Sequence, residues 1–511
     1  MRSILPVTTD PNKPPRPGLG VLKKGALAGL LIILLTATTV ASATLLEVDQ
    51  LVSIVRTEGQ AIPGIANALD NVDGGGPQTI LVIGSDRRYT DRNAKGAARS
   101  DTLMLVRLDP NREATAVMSI PRDLKVQIPG HGSDKINAAY SLGGPKLTLA
   151  TVRDLLGIDI NHVVEVNFGG FQRAVNRLGC VYVDVDHRYY HSNAGLAPSA
   201  QYAEIDIKPG YQMLCGKKSL DYVRFRHADS DFVRSARQQD FIRQAKGQFS
   251  VSSLLGDRTE LVKIFARYTR TDVRSNDAIL QLLKLAFLSS KNPIREVHFP
   301  AGDIPGGTYL AISPSALEKA VGEFETPVVL PAPDSSVKKK AKKKTKPGQK
   351  SKSDGSSALP AGLVADKSEG EQQAIAAAAK VAMPVYYPTV RLANGGYSSG
   401  ERTFPATRAY QITDRAKKSY AAYRMVLSTG EAGQYYGVQG TTWKTPPLLD
   451  GPSETVKKRG RDYQVYYDGD RVRLVAWHTP KGVYWVSNTL SQTLSYGQII
   501  AIAGSLKLLG S

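Results

Sequence analysis

Hydrophobic and polar positions divide the chain into stretches with different periods. From Gly25 to Leu46 it is uncharged and mostly apolar, long enough at 1.5 Å per residue to cross a hydrocarbon core of about 30 Å. Arg2, Lys13, Arg16, Lys23 and Lys24 precede this run, while Glu47 and Asp49 follow it. The positive-inside rule therefore predicts a single-pass anchor with residues 1–24 in the cytoplasm and the bulk of the chain outside the cell membrane. Ala41-Ser42-Ala43 resembles a signal cleavage site, but the apolar run exceeds the usual signal core of about 7–15 residues, which favours a retained helix. Both alternatives export the chain. Residues 47–78 then read as a spacer, broken by the glycines before Pro77.

From Thr79 the pattern becomes that of an α/β layered domain. TILVIGSD, Asp101 to Asp109 and Ala114 to Ile120 are apolar runs of strand length, the last two joined by a turn at Pro110-Asn111-Arg112. Pro121 ends the third run and places Arg122 and Asp123 beside the start of the second. Helical spacing predicts helices at Lys135 to Ser141, Pro145 to Leu156 and Phe168 to Leu178, with strands at His162 to Asn167 and Val181 to Val185. A long helix is predicted from about Phe232 to Phe249, with Arg234 and Gln238 four residues apart on one face and Arg237 beside them. Further helices are expected near Thr259 to Arg267 and Asp277 to Leu288, with an edge strand at Arg295 to Pro300.

Residues 326–380 are rich in Pro, Ala, Ser and Lys and read as a linker without enough apolar surface to fold. A smaller, tyrosine-rich α+β domain is expected over residues 381–511. Its strands are predicted at Tyr463 to Tyr467, Arg471 to Ala476 and Gly482 to Val486, and its last helix at about Tyr496 to Leu508. It contains no recognisable catalytic constellation.

The formal charge of +20 suggests a polyanionic partner. Nine lysines between Lys338 and Lys352 supply much of it, and without them the balance is +11. That run lacks interleaved aromatics and lies outside the membrane on the predicted topology, which argues against a nucleic-acid partner. Export also suits a disulfide between the two cysteines, Cys180 and Cys215, although their number alone leaves two separate thiols open.

Four runs carry the candidate chemistry: IGSDRR, ARSDT, SIPRD and YVRFRHADSDFVRSARQQ. They hold Asp86, Arg99, Asp101, Arg122, Arg224, Arg226, Arg234 and Gln238. Arginine forks match phosphate oxygens bidentately, and several in one cleft suit a pyrophosphate. Paired aspartates suit Mg²⁺, which shares phosphate oxygens as ligands. The combination describes metal-assisted phosphoryl transfer; any one residue alone fits an ordinary surface ion pair. His131, His162 and His227 show no metal-ligand spacing, and neither a phosphate loop nor a dinucleotide fingerprint occurs.

In this order the runs, together with DKINAAYSLGG, resemble the LytR-CpsA-Psr family of bacterial cell-envelope proteins over about Thr79 to Gln248. The resemblance implies a mixed central sheet flanked by helices, here residues 79–325, and a pocket for a polyprenyl pyrophosphate-linked glycopolymer. It makes Asp86 and Asp101 the Mg²⁺ ligands, and Arg99, Arg122, Arg224, Arg226, Arg234 and Gln238 the pyrophosphate contacts. The implied reaction transfers the glycopolymer to a peptidoglycan hydroxyl. Polyprenyl pyrophosphate hydrolysis and glycopolymer binding without turnover need the same arginines. Transcriptional attenuation requires DNA contact, for which no helix-turn-helix pattern is visible. Residues 381–509 do not resemble the small α/β module that many extended relatives carry.

Overall fold

The computed structural model describes residues 50–71, 75–85, 100–112, 114–197, 201–225, 231–249, 257–289, 292–304, 308–327, 359–401, 403–458 and 460–511. The predicted anchor and the lysine run lie outside these residues. No helix among the described residues is long and apolar enough to cross a membrane.

The first unit opens on helix α1 (50–58), strands β1 (Gln60–Ala61), β2 (Gln78–Ser85), β3 (Ser100–Leu108) and β4 (Thr115–Ile120), and the hairpin β5 (Lys125–Ile128) and β6 (Gly132–Lys135). Helix α2 (Ala138–Leu156), β7 (His162–Asn167), helix α3 (Phe168–Arg177), β8 (Val181–Val185), β9 (Tyr189–His191), β10 (Ile205–Ile207) and β11 (Gly210–Leu214) follow. Then come α4 (Gly216–Arg224), α5 (Asp231–Gln248), α6 (Arg258–Tyr268), β12 (Thr269–Thr271), α7 (Asn276–Leu288), β13 (Ile294–Val297), β14 (Gly302–Asp303), β15 (Leu310–Ala311) and α8 (Pro314–Glu325). Seven of these strands form one sheet in the order β1-β12-β7-β2-β3-β4-β13. The sheet is mixed, because β2 runs antiparallel to β3 but parallel to β7.

Leu81, Ile83, Leu105 and Met118 of this sheet pack with Leu149 and Val152 of α2 and Phe324 of α8. A second core joins Val175 of α3, Val181, Val183 and Val185 of β8, and Phe241 of α5. The predicted strands of the central sheet are present with small shifts at their ends. Two expectations for this unit need correction. The helix expected at Lys135 begins only at Ala138, because Gly130 and Gly132 take φ values of 75° and 77° around His131 and close the β5–β6 hairpin first. Only glycine enters that left-handed region at little cost. The expected spacer is folded from residue 50 to residue 71: Val52 and Val55 pack on Val273 and Ile279, while Ile62 and Ile65 join the main core.

The second unit begins earlier than expected, within the stretch read as linker. Its elements are β16 (Leu363–Ala365), α9 (Lys367–Ala378), β17 (Tyr386–Tyr387), β18 (Val390–Leu392), β19 (Gly396–Tyr397), β20 (Thr407–Thr413), β21 (Ser419–Ser428) and β22 (Tyr435–Thr441). They continue with β23 (Glu454–Lys458), β24 (Arg461–Asp468), β25 (Arg471–Thr479), β26 (Gly482–Ser487), helix α10 (Tyr496–Ser505) and β27 (Lys507–Leu508). Strands β19 to β26 form an eight-stranded antiparallel sheet. Helix α9 escapes a hydrophobicity reading because its buried positions are Gly370, Ala374 and Ala377, too small to give an apolar period. Asp366 caps it, accepting from the Glu369 amide, and also receives Arg391 Nε at 2.5 Å.

The two units share a buried interface. Tyr182 and Tyr211 of the first pack with Ile412, Leu448, Tyr466 and Trp485 of the second. Arg424 Nη1 donates to both carboxylate oxygens of Asp184 at 3.0 and 3.1 Å, and Trp485 Nε1 donates to Asp184 Oδ2 at 3.2 Å. Arg424 is fully buried. Beside this pair, Arg243 of α5 meets Asp240 Oδ1 at 2.9 Å, Asp468 Oδ2 of the second unit at 2.7 Å, and Glu296 of β13.

Three carboxylates therefore crowd around one guanidinium. Burial, opposed by Arg243 and reinforced by Asp468 and Asp240, pushes Glu296 up to about 8. A folded-state pKa above the unfolded one means that the contribution of Glu296 to stability is complete below the usual glutamate range and is lost as pH rises through about 8. Replacing Glu296 with Gln should flatten the decline of stability between about pH 5 and 8. Urea unfolding should find the Glu296→Gln protein more stable than the parent at pH 8.5 by at least about 1 kcal/mol, with the gap closing toward pH 5.

Candidate functional site

Of the predicted site residues, the structure describes Arg122, Arg224, Arg234, Gln238 and the backbone of Asp101, and it brings Gln238 and Arg122 to the start of β3. Ser85 pairs with Ser100 and Gly84 with Thr102, so Asp101 is the extra residue of a β-bulge. Bulges recur beside active sites because they break the ladder and change the side-chain sequence along the strand. Gly84 allows close approach here, since a Cβ would stand 3.0 Å from Thr102 Cβ. Ser85 immediately precedes Asp86 in the chain, so the backbone brings the approaches to the two predicted metal ligands side by side. Asp86, Arg99 and Arg226 themselves lie outside the described residues, as does the side chain of Asp101. Among the described residues no group of three or more His, Cys, Asp or Glu is arranged to hold a metal ion.

Arg122 follows β4, whose Ile120 pairs with Leu103, and therefore stands at the Thr102 end of β3. Its carbonyl accepts the Asn137 amide at 3.2 Å, and its Nε is 3.5 Å from Asp123 Oδ2. Asp123 is tied in turn to Lys135 Nζ at 2.8 Å. Arg224 is the last residue of α4, with Nη2 3.2 Å from Asp221 Oδ1 and its guanidinium 5.4 Å from both the Phe168 and Tyr202 ring centres. Aromatic flanks hold a guanidinium while leaving its edge available to an anion.

Gln238 joins these parts. Its Nε2 donates to Thr102 Oγ1 at 3.1 Å and to the Val223 carbonyl at 3.0 Å. One amide thus fastens α5 both to the bulged strand and to the residue before Arg224. Arg234, one turn earlier on α5, is buried. Arg237 is fully buried against Tyr189 and donates to the Phe225 carbonyl at 2.5 Å, so it supports the chain leading to Arg226.

A disulfide joins Cys180 and Cys215, as expected. Cys215 is the N-cap residue of α4, so the bridge fixes the start of the helix that ends in Arg224. For a separation of 35 residues the chain-entropy model gives a stabilisation of about 3–4 kcal/mol.

Glu165 was not singled out from sequence. In β7, beside Ile83, it accepts Ser85 Oγ at 2.9 Å and Tyr140 OH at 2.7 Å, and Arg270 Nε lies 3.0 Å from its other oxygen. It is almost completely buried. The signal was present: a single acid inside the apolar strand HVVEVN requires partners, because a buried carboxylate is costly without them. Its role here is to hold the residue before Asp86.

The LytR_cpsA_psr family model matches residues 45–326. The polyisoprenyl-teichoic acid–peptidoglycan teichoic acid transferase TagU of Oceanobacillus iheyensis is 31% identical over 255 residues, which cover 48% of this chain and 74% of the relative. The corresponding transferase TagT of Bacillus subtilis is 30% identical over 232 residues, covering 45% of this chain and 70% of TagT. The solved structure of TagT bound to LI-WTA aligns at 28% identity with a TM-score of 0.39, covering 50% of this chain and 92% of that one. The fold defines an α/β protein with a mixed central sheet. The chain belongs to the LytR-CpsA-Psr family.

Glu165→Gln keeps the shape of the side chain but removes the charge that Arg270 and two hydroxyls address. It should cost about 1–3 kcal/mol in chemical denaturation, the range for weakening a buried charged hydrogen-bond centre.

Proposed function

We propose that this chain is a membrane-anchored, extracytoplasmic phosphotransferase that attaches a polyprenyl pyrophosphate-linked glycopolymer to peptidoglycan. The observation that carries the reading is the double tie of Gln238, which gathers the Arg224 end of α4, the bulge at Asp101 and helix α5 with Arg234. The transferase names borne by relatives at about 30% identity support the same chemistry.

Arg122, Arg224 and Arg234, with Arg99 and Arg226, bind the two phosphates and match the charge that grows on their oxygens. A hydroxyl oxygen of peptidoglycan attacks the phosphorus bonded to the sugar. A new P–O bond forms, the bond from that phosphorus to the bridging oxygen breaks, and polyprenyl phosphate leaves with that oxygen. The hydroxyl proton is released to solvent. The carboxylate donor chemistry of Asp86 and Asp101 fits Mg²⁺, which when bound would neutralise phosphate charge, and Ser85, the residue before Asp86, pairs with Ser100, the residue before Asp101. Residues 25–46 serve as the anchor in this reading.

A transfer assay tests it, using the chain from residue 47 onward, Mg²⁺, a lipid pyrophosphate-linked saccharide and peptidoglycan fragments. Saccharide should become covalently attached to the glycan, EDTA should stop attachment and added Mg²⁺ should restore it. Arg122→Ala and Arg224→Ala should each lower the rate at least about 100-fold, the order expected for losing a transition-state charge contact. Their melting temperatures should stay close to that of the parent. Release of lipid phosphate without attachment would replace the reading with pyrophosphate hydrolysis, and tight lipid binding without turnover would replace it with a binder.

A further inference from the structure

Helix α5 has two working faces. At about 100° per residue, Arg234 and Gln238 share one face, whereas Asp240 and Arg243 lie roughly opposite. The first face holds the phosphate-site residues. The second is gripped by the C-terminal unit, which lies wholly outside the residues matched by the family model.

The grip is specific. Asp468 ends β24 and reaches Arg243 of α5 at 2.7 Å, and Gln492 Nε2 holds the same Asp468 oxygen at 2.9 Å. Next to it, Gly469 turns the hairpin with φ 60° and lies directly under the Arg295 guanidinium of β13, where a Cβ would stand 2.0 Å from Nη1. Arg243 also meets Glu296 of β13, so one guanidinium links α5, the edge of the central sheet and the C-terminal hairpin. The charge of Arg243 is reinforced chiefly by Asp468 against the cost of its burial.

We propose that the C-terminal unit is a positioning element of the phosphate site, in which Asp468 acts through Arg243 to hold α5 at the register where Arg234 and Gln238 meet the pyrophosphate. This rests on the transferase reading above. Asp468 is a positioning residue, and it touches neither donor nor acceptor. Loss of its carboxylate frees Arg243 to follow Glu296 and Asp240 alone, and α5 loses its ion pair to the end of β24.

The test compares four proteins containing residues 47–511: the parent, Asp468→Ala, Asp468→Glu and Arg408→Ala. Arg408 of β20 donates to the Pro209 carbonyl, just before β11, at 2.8 Å in the same interface, so it controls for weakened docking. Two readouts are taken: transfer kinetics with a lipid pyrophosphate-linked saccharide, and amide hydrogen exchange of residues 231–248. Asp468→Ala should lower kcat/KM at least tenfold and speed exchange in α5. Asp468→Glu should recover most of the rate, and Arg408→Ala should stay within twofold of the parent with α5 protection unchanged. If Asp468→Ala and Arg408→Ala behave alike in both readouts, the positioning role is wrong while the transferase reading stands. If the parent itself transfers nothing, the transferase reading fails, and unchanged exchange in the Asp468→Ala α5 would then overturn the mechanical link as well.

Discussion

The side chains of α5 are the constraint on which the rest of this molecule depends. An 18-residue helix carrying three arginines, Arg234, Arg237 and Arg243, together with Gln238, Gln239 and Gln244, would ordinarily show a solvated face. Six of its charged or amide residues are instead buried, Arg234, Arg237, Gln238, Gln239, Asp240 and Gln244, and Arg237 and Gln238 each meet defined acceptors. Burying a guanidinium is tolerated only when its donors are matched, so the position of α5 is fixed by hydrogen bonds rather than by apolar fit alone. Gln238 and Arg237 address successive parts of the α4 exit, the carbonyls of Val223 and Phe225. Arg224 and Arg226 alternate with those residues in the chain. The helix therefore holds the backbone on both sides of Arg224 through buried polar ties.

The same logic explains the seam between the units. The Asp184–Arg424 pair contributes little net stability by itself, because desolvating both ions offsets their attraction, but removal of either partner strands a buried charge. Such a pair specifies one docking arrangement. The Tyr182, Tyr211 and Trp485 cluster supplies apolar burial around it, with Tyr211 OH accepting from the Leu448 amide at 3.2 Å. The C-terminal sheet is thus joined to the family unit by groups that penalise separation, unlike a module held only by a linker.

Sequence reading succeeded where period and chemistry agreed. The β2, β3 and β4 runs are continuous and apolar, and Pro121 closes β4 at the place where Arg122 has to turn out. The Cys180–Cys215 bridge followed from export and pairing. It failed where small or polar residues do structural work. Gly370, Ala374 and Ala377 form the buried stripe of α9 within what looks compositionally like linker, and the interior of β21 and β22 carries Arg424, Gln439 and Thr441, which disguise two central strands. Glu165 and the bulge at Asp101 were hidden for another reason: their meaning lies in cross-strand register, which no local pattern encodes.

Register also separates the arginines that local sequence treats alike. Arg234 and Arg237 stand three residues apart in one motif, yet Arg237 is enclosed by Tyr189, Tyr222 and Phe225 and is committed to a backbone carbonyl. Arg243, five residues beyond Gln238, faces carboxylates from three different elements. A guanidinium already matched by buried acceptors has little to offer a ligand, whereas Arg224, flanked by two rings and touching Asp221 at one nitrogen, keeps donors to spare. Arg237 and Arg243 are thus committed to the frame, whereas Arg224 retains donors that suit the anion-binding role proposed above.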